Sequence, residues 1–231
     1  MTQAIVLSGG VTHDFPALSR TLAELLAQVG VDATIREDIE QATVDLPGAS
    51  LLVVNMLRWR MLGNRYAEQA AEHGLSLSDA ARRRIEGWVR GGGAVLAMHA
   101  ASICFDDWPQ WKELIGARWV WGTSQHPPVG PVHVRVHPDR HPIVNGLPDS
   151  FDTDDEVYGF LDLADIVPLL SAEHTGTAHP LLWARTVGHG RVVHDALGHH
   201  LASYEPAVHR RIVQRSALWT LRRPEHEILT L

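Results

Sequence analysis

The sequence predicts an α/β fold with a doubly wound, mostly parallel sheet flanked by helices. Three observations carry that expectation: short strand segments with no polar face, amphipathic helical stretches between them, and glycines where those helices have to end. Strand, helix, strand, helix, strand over the first hundred residues implies right-handed crossovers, which put helices on both faces of the sheet.

AIVLS, residues 4–8, is the first strand. The helix after it carries Leu18, Leu22, Leu25 and Val29 on one face and is stopped by Gly30. LLVVN, ending at Asn55, is the second buried strand. Residues 78–90 read as a helix, with Ser78 as its cap and Ala81, Ile85, Trp88 and Val89 as its buried stripe. Three glycines, 91–93, end that helix, and residues 94–98 form a central strand. His99 stands at its carboxyl end, where open parallel sheets bind their ligands.

The second half is more mixed. Residues 132–136 alternate like a half-exposed strand, and IVPLL, LLWAR and RVVHDAL follow at short intervals, with a Gly-His-Gly turn at 188–190. A closing helix with Val208, Ile212, Leu218 and Trp219 is expected to pack back on the sheet. No repeat or linker divides the chain, so residues 1–231 are read as one domain.

Hydrophobic residues make up 45% of the chain, enough for a substantial core, and no apolar run approaches the roughly 18 residues that span a bilayer. The opening MTQAIVLSGG has no basic region followed by a long apolar one, so a cytoplasmic location is expected and no membrane association. One cysteine excludes an internal disulfide, and a formal charge of −7 without a basic patch argues against nucleic acid as a partner. The compositional oddity is 15 histidines against 20 lysines plus arginines.

Position selects among those histidines. His99 ends a central strand, His126 lies in the proline-stiffened loop WGTSQHPP, and His199 follows the last strand in ALGHH, where Gly198 permits a tight backbone approach. Glu156 closes the acidic run 152–156. Three imidazoles and a carboxylate suit Zn²⁺ or a similar divalent ion such as Mn²⁺, making His99, His126, Glu156 and His199 the candidate ligands. No compact ligand motif is present, so only the fold can bring them together. The alternative is a polar cleft in which the same residues act as general acid and base without an ion. His13, after the first strand, either lines that cleft or caps the next helix.

Nucleophilic chemistry is disfavoured, because His99 occupies the strand-to-turn elbow while Ser102 and Cys104 lie beyond it, and Cys104 sits among apolar neighbours. Among Trp108, Trp111, Trp119 and Trp121, core packing is expected for at least two, with Trp111 and Trp119 flanking a helix and strand start. Trp108, beside Asp106 and Asp107, is the one expected to face a ligand, and an aromatic face can stack on a sugar ring. Gly9 and Gly10 lack the full Gly-x-Gly-x-x-Gly pattern, so no nucleotide cofactor is expected.

GGGAVLAMHAAS, WPQWKELIGARW, HPDRHPIVNGLPDSFDTDDEVY and ARTVGHGRVVHDALGHH, in that order over nearly the whole chain, resemble the ThuA-like (trehalose utilisation) family. The resemblance implies a flavodoxin-like fold similar to class I glutamine amidotransferases, whose elbow cysteine is replaced here by His99 and whose late-strand histidine corresponds to His199. Glutaminase chemistry is therefore not expected. The family's histidine and acidic motifs match at His99, His126, Glu156 and His199, with His13 in the first loop.

The implied activity is carbohydrate processing on disaccharides, glucosides or their 3-keto derivatives, alongside a sugar oxidoreductase. On that reading His99, His199 and Glu156 are catalytic, and His13, Trp108 and His126 contact substrate. A non-catalytic carbohydrate-binding or accessory protein is the competing reading. A third, a glutaminase or peptidase, requires an accessible Cys104 paired with a histidine. Where relatives often read Leu-Gly-His-Asp, this chain has His200, which removes a carboxylate that might orient His199. Residues 58–77 depart from a short loop and are expected to form a lid or a homodimer contact.

Overall fold

The structure is a computed structural model that describes residues 2–231. Its elements in chain order are β1 (Thr2–Gly10), α1 (Phe15–Ala27), β2 (Val31–Arg36), α2 (Ile39–Asp45), β3 (Leu51–Leu57), α3 (Ala67–His73), α4 (Asp79–Arg90), β4 (Ala94–Met98) and α5 (Pro109–Ile115). There follow β5 (Ala117–Arg118), β6 (Gly130–Val136), β7 (Ser150–Asp155), β8 (Asp162–Leu163), β9 (Leu170–His174), β10 (Thr177–Val187), β11 (Gly190–Asp195), α6 (Ala207–Thr220) and α7 (Glu225–Leu229).

The large sheet runs β2-β1-β3-β4-β11-β10-β9-β6-β7. Its first five strands pair in parallel, in the flavodoxin-like order, and the rest continue antiparallel from the β10–β11 hairpin. Helices α1 and α6 cover one face, packing Leu18, Leu22, Ile212 and Val213 on Val6, Val53 and Val193. On the other, α2, α4 and α5 pack Ile39, Ile85 and Trp111 on Leu52, Val54 and Val95. Both faces of the parallel strands are thus buried, which is why their sequences carry no polar alternation.

Local chemistry sets the element ends. Ser78 accepts the Ala81 backbone N–H at 3.1 Å and caps α4 as its sequence predicts. Trp88 is only half-buried: its ring lies over Gly93, where a Cβ would come within 2.3 Å of it. The strand expected from IVPLL begins only at Leu170, because Pro168 has no N–H for the ladder. Val132, Val134 and Val136 face the core while the residues between them face solvent.

Residues 58–77 form an excursion tied down at both ends. Asp106 accepts from the Arg60 backbone and guanidinium at 3.0 and 3.2 Å, and Asp107 accepts from Ser76 and Arg82. Between these anchors lie the exposed Leu62, Gly63 in the left-handed region, and the exposed Arg65. Among the described residues no helix is long and apolar enough to cross a membrane.

Candidate active site

In the 2-1-3-4-5 order the crevice opens at the carboxyl ends of β1, β3, β4 and β11. Five segments send side chains into it. His13 comes from the loop after β1, His99 from the turn after β4, His199 from the loop after β11, and Glu156 directly follows β7. His126 reaches in from the loop before β6. At the mouth stand Trp59, Arg65, Tyr66, Trp119 and Trp121 around a cavity of about 250 Å³.

His99 has a φ of 38°, a left-handed conformation uncommon for a residue with a Cβ. That elbow aims the ring across the end of β11, where its Nδ1–H donates to the Ala196 carbonyl at 2.8 Å. The opposite nitrogen, Nε2, keeps its lone pair, buried and without a hydrogen-bond partner beside His13 and His199. His13 is held in the same way: its Nδ1 lies 3.1 Å from the Val11 carbonyl and 2.9 Å from Thr12 Oγ1. Gly198 has a φ of 117°, and a Cβ there would lie 2.6 Å from the Tyr204 hydroxyl, so the tight approach expected at this glycine is present.

Glu156 joins the imidazoles. Its Oε1 lies 3.0 Å from His126 Nδ1, and its Oε2 lies 3.2 Å from His199 Nδ1 and 3.7 Å from His99 Nε2. A carboxylate thus stands beside His199 from just past β7, close to its Nδ1 but not in line to hydrogen-bond it. Burial pushes the Glu156 carboxyl up, but the imidazoles of His126, His199 and His99 together hold it well below the usual carboxylate range. His13 moves to about 3, first through burial and then through repulsion by His99. His126 moves up, chiefly because of its contact with Glu156. The cluster thus sets an ionised carboxylate and a readily charged imidazole beside a neutral one.

The ring nitrogens that approach one another, all within 4.8 Å, belong to His13, His99 and His199. The ligand set expected from the sequence was His99, His126, Glu156 and His199; two of its members, His99 and His199, fall in this group, and His13 joins them. His126 is turned away, toward Glu156 and the Pro127 carbonyl. Distances between strand ends depend on sheet order, and the β1 loop lands beside those of β4 and β11. His13 Nε2, His99 Nε2 and His199 Nδ1 are buried without a hydrogen-bond partner among the described residues, the last lying near Glu156 but out of line for a bond. Three convergent lone pairs with nothing between them suit a cation or a polar substrate atom.

Trp108 does not face the crevice, contrary to expectation. Pro109 starts α5 directly after it, and its indole, only 4% exposed, stacks on Trp111 beneath the sheet, with ring centroids 5.8 Å apart. Trp108→Ala is expected to lower stability by about 3–5 kcal/mol without changing ligand affinity of the folded protein, as a melt paired with a ligand titration would reveal. The tryptophans that do line the site include Trp59, which the sequence reading passed over although it stands two residues beyond a strand's carboxyl end. Asp155 was also passed over. It is fully buried, and its carboxylate accepts the backbone N–H groups of Glu156 at 2.8 Å, Gly198 at 2.8 Å and His199 at 3.3 Å. The alternation of residues 150–155, with Phe151, Thr153 and Asp155 inward, is the signal that marks it.

Cys104 is buried and hydrogen-bonds to the Met56 carbonyl at 3.1 Å, and burial pushes its thiol up to about 12. It lacks the accessibility that a glutaminase or peptidase nucleophile requires.

Comparison with known proteins agrees with this architecture. A ThuA-like protein from Parabacteroides merdae superposes with a TM-score of 0.73 at 19% identity, covering 95% of this chain and 90% of the other. One from Bacteroides uniformis gives 0.71 at 16% identity, covering 95% and 91%. A cytoplasmic protein from Salmonella typhimurium LT2 gives 0.63 at 14% identity, covering 99% of both chains. No curated protein matches the chain by sequence. The profile of the ThuA family, described as trehalose utilisation, matches residues 3–220, and the chain belongs to that family of carbohydrate-utilisation proteins.

Proposed function

We propose that this protein is an enzyme that processes disaccharides, glucosides or their 3-keto derivatives by histidine- or metal-assisted acid–base chemistry, with His13, His99 and His199 the residues that would hold a Zn²⁺ or Mn²⁺ ion. The observation that carries the reading is the convergence of three buried, unpartnered imidazole nitrogens beside an ionised carboxylate at the base of the crevice. The donor set fits a divalent ion: His13 and His99 each have the other ring nitrogen against a backbone carbonyl, the arrangement that fixes the tautomer of a metal-binding histidine. When bound, such an ion polarises a carbonyl or hydroxyl oxygen as a Lewis acid.

The side chains divide the remaining work. Glu156 stays ionised near neutral pH, so it donates no proton; it anchors His126, and its Oε2 neighbours His99 and His199. Where no ion takes it, the His99 Nε2 lone pair is positioned to accept a proton, and a C–H next to a carbonyl, as in a 3-keto sugar, is acidic enough to supply one. His126 at the rim, with its pKa raised, is the donor to an oxygen of the substrate. A substrate of that kind requires a sugar oxidoreductase acting before this protein.

NMR time courses with trehalose and simple glucosides, native and 3-keto, with and without Zn²⁺ or Mn²⁺, test the reading. Product signals that vanish in His99→Ala and His199→Ala are expected. Saturable binding without product in the wild type would instead make the protein a carbohydrate-binding accessory.

A further inference from the structure

The cavity above the histidine cluster, about 250 Å³, has the volume of roughly eight waters, enough to seat one pyranose ring. Its walls differ in chemistry. Glu156, His13, His126 and His199 supply polar atoms, and Trp59, Trp119 and Tyr158 supply aromatic surface, with His126 packed against both Trp119 and Tyr158. A pyranose is built to match, with hydroxyls around its edge and C–H groups on its faces.

At the rim of this chamber the aromatic surface continues toward solvent. Trp121 is 49% exposed, leaning on Trp59 with centroids 5.6 Å apart and lying 6.3 Å from Tyr66. Trp59 and Tyr66 meet edge-on at 4.9 Å, and Arg65 carries its guanidinium 5.2 Å from the Tyr66 ring centroid. The buried Trp59 and the half-buried Tyr66 thus brace a large indole, 49% exposed, at the mouth of the cavity.

We infer that Trp121, braced by Trp59 and Tyr66, is an outer subsite that stacks the second ring of a glycoside whose first ring occupies the chamber over His99 and His199. The inference rests on the carbohydrate reading of the site. Arg65 at the same rim offers fixed N–H donors to hydroxyls of the outer ring. Trp59, Arg65 and Tyr66 all belong to the excursion 58–77, so that segment carries part of the selectivity for a two-ring ligand, while the histidines, which lie deeper, treat one-ring and two-ring ligands alike.

Calorimetric titration of trehalose and of methyl α-glucopyranoside into the full chain, as wild type, Trp121→Ala and Trp121→Phe, tests this. Trp121→Ala is expected to weaken trehalose about tenfold and methyl glucoside less than about twofold, with Trp121→Phe close to wild type for both. Equal weakening of both sugars, or none for trehalose, would overturn the outer subsite and leave the catalytic reading standing. Failure of the wild type to bind either sugar would overturn the carbohydrate reading and the subsite with it. The expected pattern without turnover in the NMR assay would sink the enzyme and keep the subsite.

Discussion

Glu156→Gln is expected to lower turnover by about 10²–10⁴-fold while the protein still folds. Glutamine matches the volume of glutamate but not its charge or its acceptors. In the native site the two oxygens serve different imidazoles, His126 at 3.0 Å through Oε1 and His199 at 3.2 Å through Oε2. An amide turns one of those oxygens into an NH₂ donor, and a protonated imidazole nitrogen beside it is then a donor facing a donor.

The variant also carries a signature in pH. Contact with Glu156 is the main reason the His126 pKa is raised. Without that carboxylate His126 loses its proton at lower pH, and if it acts as the acid, the alkaline limb of the pH–rate profile moves toward acid. Stability moves separately. The Glu156 carboxyl is held below its ordinary 4.5, so its stabilising contribution is complete above that pH and is lost as the pH falls below it toward the folded value. The melting-temperature difference between wild type and variant therefore narrows on acidification below about pH 4.5. A variant with unchanged turnover and an unmoved alkaline limb would remove Glu156 from the machinery.

What the sequence made legible follows from how locally each feature is encoded. Strands β1, β3 and β4 stand out because burial on both faces leaves them continuously apolar, and α1 and α4 because their stripes and caps lie within a few residues. His99 and His199 were legible for a related reason: a ligand site at the carboxyl ends of parallel strands needs only the strand ends to be located. Membership of the histidine trio was not. It depends on β11 pairing with β4 across about a hundred residues of chain, Val192 against Val95 for example, and on β1 lying two strands away. Trp108 was misplaced because the run DDWPQW looks polar, whereas its aspartates serve Arg60 and Arg82 on the surface and its indole turns under the sheet.

Asp155→Ala is expected to lower stability by about 3 kcal/mol, or roughly 6–12 °C in Tm for a domain of this size, and to weaken Zn²⁺ binding about 10–100-fold. The residue touches no member of the histidine trio through its own side chain except by way of backbone. Its two oxygens take three N–H groups, from Glu156 at the end of β7 and from Gly198 and His199 after β11. One buried carboxylate thereby fixes the spacing between the strand that delivers Glu156 and the loop that delivers His199. Removing it strands the buried Glu156 and Gly198 donors and the part-buried His199 donor. Beneath the same loop Asp195 holds Leu197 N–H at 3.1 Å and pairs with the buried His209 at 3.0 Å, so the loop has a second anchor and the fold survives the substitution. Asp155→Asn separates the two effects. It keeps one acceptor oxygen and the side-chain volume, so it should recover part of the stability, while the swap of an acceptor for a donor leaves the Gly198–His199 backbone displaced and Zn²⁺ binding weak. Thermal melts with parallel Zn²⁺ titrations decide the matter: full Zn²⁺ affinity in Asp155→Ala at a reduced Tm would reduce Asp155 to a purely structural residue and leave the position of His199 to the Asp195–His209 anchor.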